Sequence, residues 1–178
     1  MLLEVRNLNK KFGSVVAAEN INFSMGNNEV IGIIGSNGAG KTTFCNIITG
    51  YTQQDNGEIF FKENNISSLG VLEIKNIGIH RSFQIPQVFE NLGVLENIII
   101  TELVAKNKQN SFFEDAYTKK NYQNAIKLLE KFSFEVDKFK DKTVKELPQG
   151  ARKVLDILIA IIGKPKVILL DEPTSGIS

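Results

Sequence analysis

The sequence predicts an α/β fold, and three observations support this prediction. Apolar and polar residues alternate over positions 2–8 and 15–24 around a turn-like FGS segment, which is typical of two antiparallel strands in a partly exposed sheet. A short β-branched run at 29–35, EVIGIIG, is followed by KTTFCNIITG at 41–50, which predicts a central strand buried on both faces and then a helix. Helical spacing also dominates from Val94 to Phe132.

The remaining segments continue this mixture of strands and helices in chain order. Residues 57–66 (GEIFFKENNI) and 78–84 (GIHRSFQ) are typical of two further strands. Residues 106–120 are polar and lysine-rich, which predicts a surface linker between two helices. A last helix is predicted over 150–163 and a last strand, KVILLDE, over 166–172. The predicted order is therefore sheet, helical insertion and sheet again.

Composition excludes several classes of protein. With 178 residues, 42% of them hydrophobic and 23% charged, the chain is globular and holds one full core or two small ones. A net charge of +1 with both signs interspersed predicts no nucleic-acid partner. The longest apolar stretch, VLDILIAIIG, is too short for a membrane span, and the N-terminus lacks a signal-peptide layout, so we expect an intracellular chain. The single cysteine, Cys45, permits no internal disulfide and is expected to be a small packing residue.

The segment GSNGAGKT at residues 35–42 fits the phosphate-binding pattern G-x-x-x-x-G-K-[ST] between a predicted strand and a predicted helix. Its glycines let successive N–H groups point inward, and the helix N-terminus adds its positive dipole end. Lys41 is expected to reach the β- and γ-phosphates of ATP, and Thr42 to bind Mg²⁺. The alternative is an ordinary glycine-rich turn before a helix. The predicted nucleotide-binding residues here are Gly35, Ser36, Asn37, Gly38, Ala39, Gly40, Lys41, Thr42 and Thr43.

Two adjacent carboxylates end the apolar run VILLDE. Asp171 follows the predicted strand, where its carboxylate could hold magnesium through water beside the phosphates. Neighbouring residues of an extended segment point in opposite directions, so Glu172 cannot share that task. It is the candidate general base for the attacking water. The alternative is an ordinary strand end with two solvated carboxylates.

Four segments in this order resemble the ATP-binding-cassette (ABC) ATPases. GSNGAGKTTFCNIITG is similar to the family's Walker A motif, SFQ to its Q-loop, LPQGARK to its signature, and VILLDEPTSG to its Walker B motif and D-loop. The resemblance implies a P-loop NTPase (RecA-like) core with an N-terminal antiparallel β-subdomain and an inserted α-helical subdomain. More narrowly, GIHRSFQIPQVFENLGVLENI and TGYTQQDNGEIFF look like the ATPases of branched-chain amino-acid importers and their urea and amide relatives.

The resemblance also implies a division of the chain. We expect one ABC ATPase domain over residues 1–178, with the RecA-like core and antiparallel β-subdomain in 1–86. The helical subdomain with the signature is expected in 87–163, and the Walker B strand and D-loop in 164–178. Family members continue through further core strands and a switch histidine, so the resemblance implies a C-terminally truncated subunit. His80, the only histidine, precedes the Q-loop and is not expected to act as the switch histidine.

The resemblance assigns roles to two further side chains. Gln84 matches the Q-loop glutamine, which implies that it senses the γ-phosphate and the magnesium ion; otherwise it is a polar residue at a strand end. Phe12 matches the aromatic residue that stacks on adenine, and stacking requires only the face of an aromatic ring. The alternative for Phe12 is a packing role beside a turn.

The signature segment departs from the family's usual Leu-Ser-Gly-Gly-Gln. Gly150 is retained at a predicted helix start, where N–H groups can meet an anion. Pro148 replaces the serine, Gln149 the first glycine and Ala151 the glutamine, and Pro148 has neither a side-chain donor nor an N–H group. Two alternatives remain open: Gln149 substitutes for the serine, or the stabilisation of the partner subunit's nucleotide is weaker.

The resemblance implies an ATP- and Mg²⁺-dependent ATPase subunit that works in a head-to-tail homodimer or heterodimer. Integral membrane permease subunits would be its partners, and it would be cytoplasmic and peripheral on the inner face of the cell membrane. Hydrolysis would then energise import of a branched-chain amino acid or similar small solute. Two rival hypotheses are a nucleotide-binding module without turnover and a regulatory ABC ATPase outside transport.

Overall fold

The computed structural model describes residues 1–83, 85–105, 118–132 and 134–174. The chain divides into two compact units, Met1–Ile79 and His80–Ser178. No helix in the described part of the chain has the length and apolar character needed to cross a membrane. The three-part division into 1–86, 87–163 and 164–178 stays a prediction.

The first unit contains a four-stranded antiparallel sheet with the strand order β2-β1-β3-β4. On β1, Leu3 and Val5 are buried and lie opposite Phe61 and Ile59 of β3, so the alternation of apolar residues defines the buried face. This arrangement confirms the two predicted antiparallel strands. The strands are β1 (Leu3–Phe12), β2 (Val15–Met25), β3 (Asn56–Phe61) and β4 (Asn64–Asn65).

The single strand predicted over 57–66 is two strands in the structure. Lys62 and Glu63 both have a positive φ, 48° and 69°, and they form the turn that reverses the chain between β3 and β4. Polar side chains such as these occur both on the exposed face of a strand and in a turn. The pattern of apolar and polar residues therefore did not reveal that the chain reverses here. The prediction of one continuous strand was therefore wrong.

Two helices complete the first unit, α1 (Lys41–Ile48) and α2 (Val71–Ile77). Helix α1 buries Phe44, Cys45, Ile47 and Ile48, and the Phe44 ring meets the Phe23 ring of β2 edge to face, with 5.7 Å between centroids. The predicted helix after the glycine-rich segment is thus confirmed, and so is the packing role of the buried Cys45.

The central strand predicted over residues 29–35 is absent from the structure. The segment has no regular secondary structure, and the side chains of Val30 and Ile34 are almost fully exposed. β-branched residues favour a strand, but a central strand also requires hydrogen-bonded neighbours on both sides. No strand of the described residues pairs with this run. The local sequence therefore favours a strand that the structure does not form, and this prediction was wrong.

The second unit combines a two-stranded sheet with a helical core. The predicted strands over 78–84 and 166–172 are confirmed as β5 (Ile79–Ser82) and β6 (Val167–Leu170). The predicted last helix is confirmed as α6 (Gln149–Ile161). The other helical elements among the described residues of this unit are α3 (Val94–Ala105), α4 (Lys119–Lys131), α5 (Val136–Phe139) and a 3₁₀ turn at Val144–Glu146.

Helices α3, α4 and α6 bury one apolar cluster. Thr118 caps the start of α4 by accepting a hydrogen bond from the Asn121 N–H at 3.3 Å, which explains why α4 begins inside the predicted linker. The first twelve residues of that linker, 106–117, lie outside the described residues. Buried members of the cluster include Val94, Leu95, Ile98, Ile99 and Leu103 of α3, Ala125 and Leu129 of α4, and Leu155 and Leu158 of α6.

Candidate nucleotide-binding site

The predicted phosphate-binding segment forms an exposed turn that leads directly into α1. Residues 35–39 are all exposed, and the Ala39 N–H donates to the Ser36 carbonyl at 3.2 Å. Gly40 is the N-cap of α1 with φ of 84°, and a Cβ atom at this position would lie 2.0 Å from the Ala17 carbonyl oxygen of β2. The conformation and the close approach each require glycine at position 40.

Lys41 organises the same turn. Its ammonium Nζ donates to the Gly35 carbonyl at 2.7 Å and to the Ser36 carbonyl at 2.8 Å. An ammonium group has three N–H donors, so a third remains for an anion. The first turn of α1 contains no acidic residue, and Gly40 contributes no side-chain cap. The positive helix end and the free donor together suit a bound phosphate group.

The predicted magnesium ligands are distributed over both units. The Thr42 side chain is exposed on α1, Asp171 follows β6 in the second unit, and Gln84 lies outside the described residues. Among described residues, no group of three or more His, Cys, Asp or Glu side chains could bind a metal ion. Hydroxyl and carboxylate oxygens suit magnesium, which proteins often hold with one or two such ligands and the oxygens of a phosphate substrate. The oxygen atoms of Thr42 and of Asp171 are thus each of a kind that suits magnesium.

Asp171 is buried and held in position by two other elements. Arg81 of β5 forms an ion pair with it, with 2.7 Å between Nη2 and Oδ2, and the two side chains are 4% and 7% exposed. The main-chain carbonyl of Asp171 accepts a hydrogen bond from Lys153 of α6 at 2.6 Å. A carboxylate has about four lone-pair sites, so the ion pair leaves acceptor positions open.

Glu172 differs from Asp171 in exposure and backbone conformation. Glu172 is exposed and has φ of 47°, in the left-handed region, whereas Asp171 is buried. The two carboxylates thus have separate environments. The alternative of two solvated carboxylates is excluded for Asp171, and the separation agrees with different tasks for the two groups.

A second buried charged pair near Asp171 was not identified from the sequence. Lys153 and Asp156 lie on α6, and their hydrogen bonds reach the main chain of Phe83, Gln87 and Asp171. Burial lowers the pKa of Lys153 and raises the pKa of Asp156. The sequence signal was present, since Asp156 interrupts the apolar run VLDILIAIIG and Lys153 stands one helical turn before it.

The signature segment forms the start of α6. Pro148 is the N-cap, and Gln149 and Gly150 are the first two helical residues, the former exposed and the latter partly buried. Arg152 donates to the Leu147 carbonyl at 3.0 Å and also to the Lys145 carbonyl. Gln149 and Gly150 therefore lie at the N-terminus of α6, and the hydrogen bonds of Arg152 hold the main chain that leads into this helix.

Phe12 and His80, which the sequence analysis also discussed, both lie on strands. Phe12 ends β1 with half of its surface exposed, and the Lys10 ammonium lies 5.3 Å from its ring centroid. An exposed ring can stack on a base, although this role stays a prediction. His80 of β5 contacts the Ala160 carbonyl through Nδ1 at 2.8 Å, which gives this histidine a structural explanation.

Comparison with known proteins gives the family. The sequence profile of the ABC transporter family matches residues 18–175. The chain is 33% identical to the probable branched-chain amino acid transport ATP-binding protein LivG of Methanocaldococcus jannaschii, over 99% of this chain and 70% of that protein. It is 30% identical to the xylose/arabinose import ATP-binding protein XylG of Sulfolobus acidocaldarius, over 99% of this chain and 68% of that protein.

A solved structure agrees with the sequence relatives. The chain matches a dimeric bacterial ABC transporter cassette with a TM-score of 0.81 and 25% identity, over 99% of this chain and 76% of that one. This match confirms the predicted α/β fold of an ABC ATPase cassette, with its β-sheet subdomain and helices. The chain belongs to the ABC transporter family and is an ATPase cassette of that family.

Proposed function

We propose that this chain is the ATP-binding and ATP-hydrolysing subunit of an importer. The observation that carries the proposal is the exposed turn at residues 35–39, where the Lys41 ammonium group binds the Gly35 and Ser36 carbonyls at the N-terminus of α1. The buried Asp171 at the end of β6 adds the carboxylate that this chemistry requires.

Each residue at the site has a proposed task. Lys41 and the N–H groups of the turn bind and orient the phosphates, and Phe12 stacks on adenine. Thr42, Gln84 and Asp171 would hold magnesium, which supplies positive charge beside the transferred phosphate group when it is bound. Glu172 accepts a proton from the attacking water, because its exposed carboxylate follows directly after Asp171.

The proposed working state is a head-to-tail dimer, supported by the dimeric relative. In that state the start of α6 faces the γ-phosphate held by the partner subunit. Gln149 would donate the hydrogen bond that Pro148 cannot, because Gln149 is exposed at the first position of the helix and carries an amide donor.

Gln149→Ala is expected to lower the ATP hydrolysis rate by about tenfold, the value of one hydrogen bond to a charged group. Nucleotide binding by the separate subunit should not change, because Gln149 acts on the partner's nucleotide. Gln123→Ala on the exposed surface of α4 is the matched control. An unchanged hydrolysis rate in Gln149→Ala would mean that the signature contributes no side-chain donor at this position.

The solute is proposed to be a branched-chain amino acid. The relative from M. jannaschii supports this choice, while the xylose/arabinose relative favours a sugar, so the two classes need a direct comparison. We place the chain on the cytoplasmic face of the membrane, bound to permease subunits, since an importer uses cytoplasmic ATP.

Solute uptake in cells that lack this chain tests the proposal. Uptake of radiolabelled leucine should fall to the background level, and the wild-type chain should restore it while Glu172→Gln should not. Xylose uptake in the same cells serves as the control. Loss of xylose uptake with normal leucine uptake would contradict the solute class, and normal uptake of both would contradict a transport function for this chain.

The rival function, nucleotide binding without turnover, is favoured by one observation. Pro148 stands where the family has a serine donor, so position 148 supplies no hydrogen-bond donor. A measurement of phosphate release from MgATP by the wild-type chain separates the two functions, since turnover excludes the rival.

A further inference from the structure

Two charged residues lie buried on one face of α6. Lys153 is 1% exposed and Asp156 is 3% exposed, and they stand one helical turn apart beside the core residues Leu155 and Leu158. A charge at such a position costs free energy unless it is paired and hydrogen-bonded, and an apolar residue would pack there at lower cost. The hydrogen bonds of these two side chains therefore indicate what the charges do.

Lys153 joins two main-chain segments. Its Nζ donates to the Phe83 carbonyl at 2.5 Å and to the Asp171 carbonyl at 2.6 Å. Phe83 directly follows β5, and Asp171 directly follows β6. One ammonium group on α6 thus fixes the ends of both strands of the sheet.

Asp156 fixes the loop that follows β5. Its Oδ2 accepts from the Phe83 N–H at 2.9 Å, and its Oδ1 accepts from the Gln87 N–H at 2.9 Å. Phe83 is therefore held through its N–H by Asp156 and through its carbonyl by Lys153. The Arg81–Asp171 ion pair, at 2.7 Å, adds a side-chain link between the same two strand ends.

We propose that Lys153 and Asp156 are positioning residues for ATP hydrolysis, which set the main chain of Asp171 and of residues 83 and 87 from a single helix. The inference rests on the proposed function, in which Asp171 holds magnesium and Glu172 activates water. Because Lys153 and Asp156 lie on the same helix as Gln149 and Gly150, a displacement of α6 as a whole would move both held segments together.

The test uses Asp156→Asn in the full chain. Asparagine keeps the shape of the side chain but presents an amide donor to one of the two N–H groups, so that group loses its acceptor. We expect kcat for ATP hydrolysis to fall about tenfold with KM unchanged, because the phosphate-binding turn at 35–42 is not altered. Hydrogen exchange at the amides of Phe83 and Gln87 should become faster.

A second variant and a matched control keep the test decisive. Lys153→Met, which removes the ammonium and keeps the aliphatic stem, carries the same expectation if Asp156→Asn does not fold. Asn97→Ala is the control, because Asn97 is also fully buried and also binds loop main chain, at Phe89 and Gly93. The control should lower the melting temperature and leave kcat unchanged.

The outcomes separate this inference from the proposed function. A fall in kcat at constant KM, with faster exchange at residues 83 and 87, supports the inference. An unchanged kcat in Asp156→Asn with an active wild type overturns the inference alone, and so does an equal fall in kcat in Asn97→Ala. A wild-type chain that binds MgATP without hydrolysing it overturns the proposed function and this inference together.

Discussion

Glu172→Gln is expected to slow ATP hydrolysis by about 10²- to 10⁴-fold, the range that a positioned general base contributes. Glutamine preserves the size of the side chain and removes its ability to accept the proton of the attacking water. Binding of MgATP should be retained, because Asp171 and the phosphate-binding turn are unchanged. The bound state should persist, so we also expect a larger fraction of dimer in the presence of MgATP.

Three measurements check this prediction: the rate of phosphate release, the Kd for MgATP by fluorescence titration, and the molar mass with and without MgATP by light scattering. Glu130→Gln on α4 is the control, since it makes the same chemical change at an exposed position of the helical core. If Glu172→Gln hydrolyses ATP at the wild-type rate, another residue must be the base.

Lys41→Ala is expected to weaken nucleotide binding by about 10- to 100-fold, since a hydrogen bond to a charged group contributes about 1.5–3 kcal/mol. The substitution removes the N–H donor available to a phosphate oxygen. It also removes the two hydrogen bonds that hold the Gly35 and Ser36 carbonyls, so the turn loses part of its shape. Hydrolysis should fall with binding at limiting ATP concentration.

The measurement is a calorimetric titration with a nonhydrolysable ATP analogue, and a thermal melt reports whether the fold is intact. Lys75→Ala on α2 is the control, because Lys75 is an exposed lysine of the same unit outside the turn. Wild-type affinity in Lys41→Ala would contradict the assignment of residues 35–42 as the phosphate-binding segment.

The sequence could predict those parts of the site that are formed by residues close together in the chain. The spacing of Gly35, Gly40 and Lys41 specified a turn at a helix start, and α1 indeed begins at Lys41. The apolar run before Asp171 likewise predicted a strand end, which β6 confirms. Local spacing contains these features because the residues that form them are adjacent in the chain.

The remainder depends on contacts between residues that are distant in sequence. Arg81 and Asp171 meet because β5 and β6 pair, and Lys153 and Asp156 find main-chain partners about 70 residues away along the chain. No local pattern specifies such partners. At residues 29–35 the error was a false prediction of structure. The residues favour a strand, but no strand among the described residues pairs with them.

The contact between Gly40 and β2 has a consequence for engineering the site. The carbonyl that leaves no room for a Cβ atom belongs to the main chain of Ala17, and any amino acid at position 17 supplies the same oxygen atom. Substitutions on the hairpin surface should therefore be tolerated, whereas an insertion or deletion in β2 would shift that oxygen. In this respect the shape of the turn before α1 depends on chain length in the hairpin more than on its side chains.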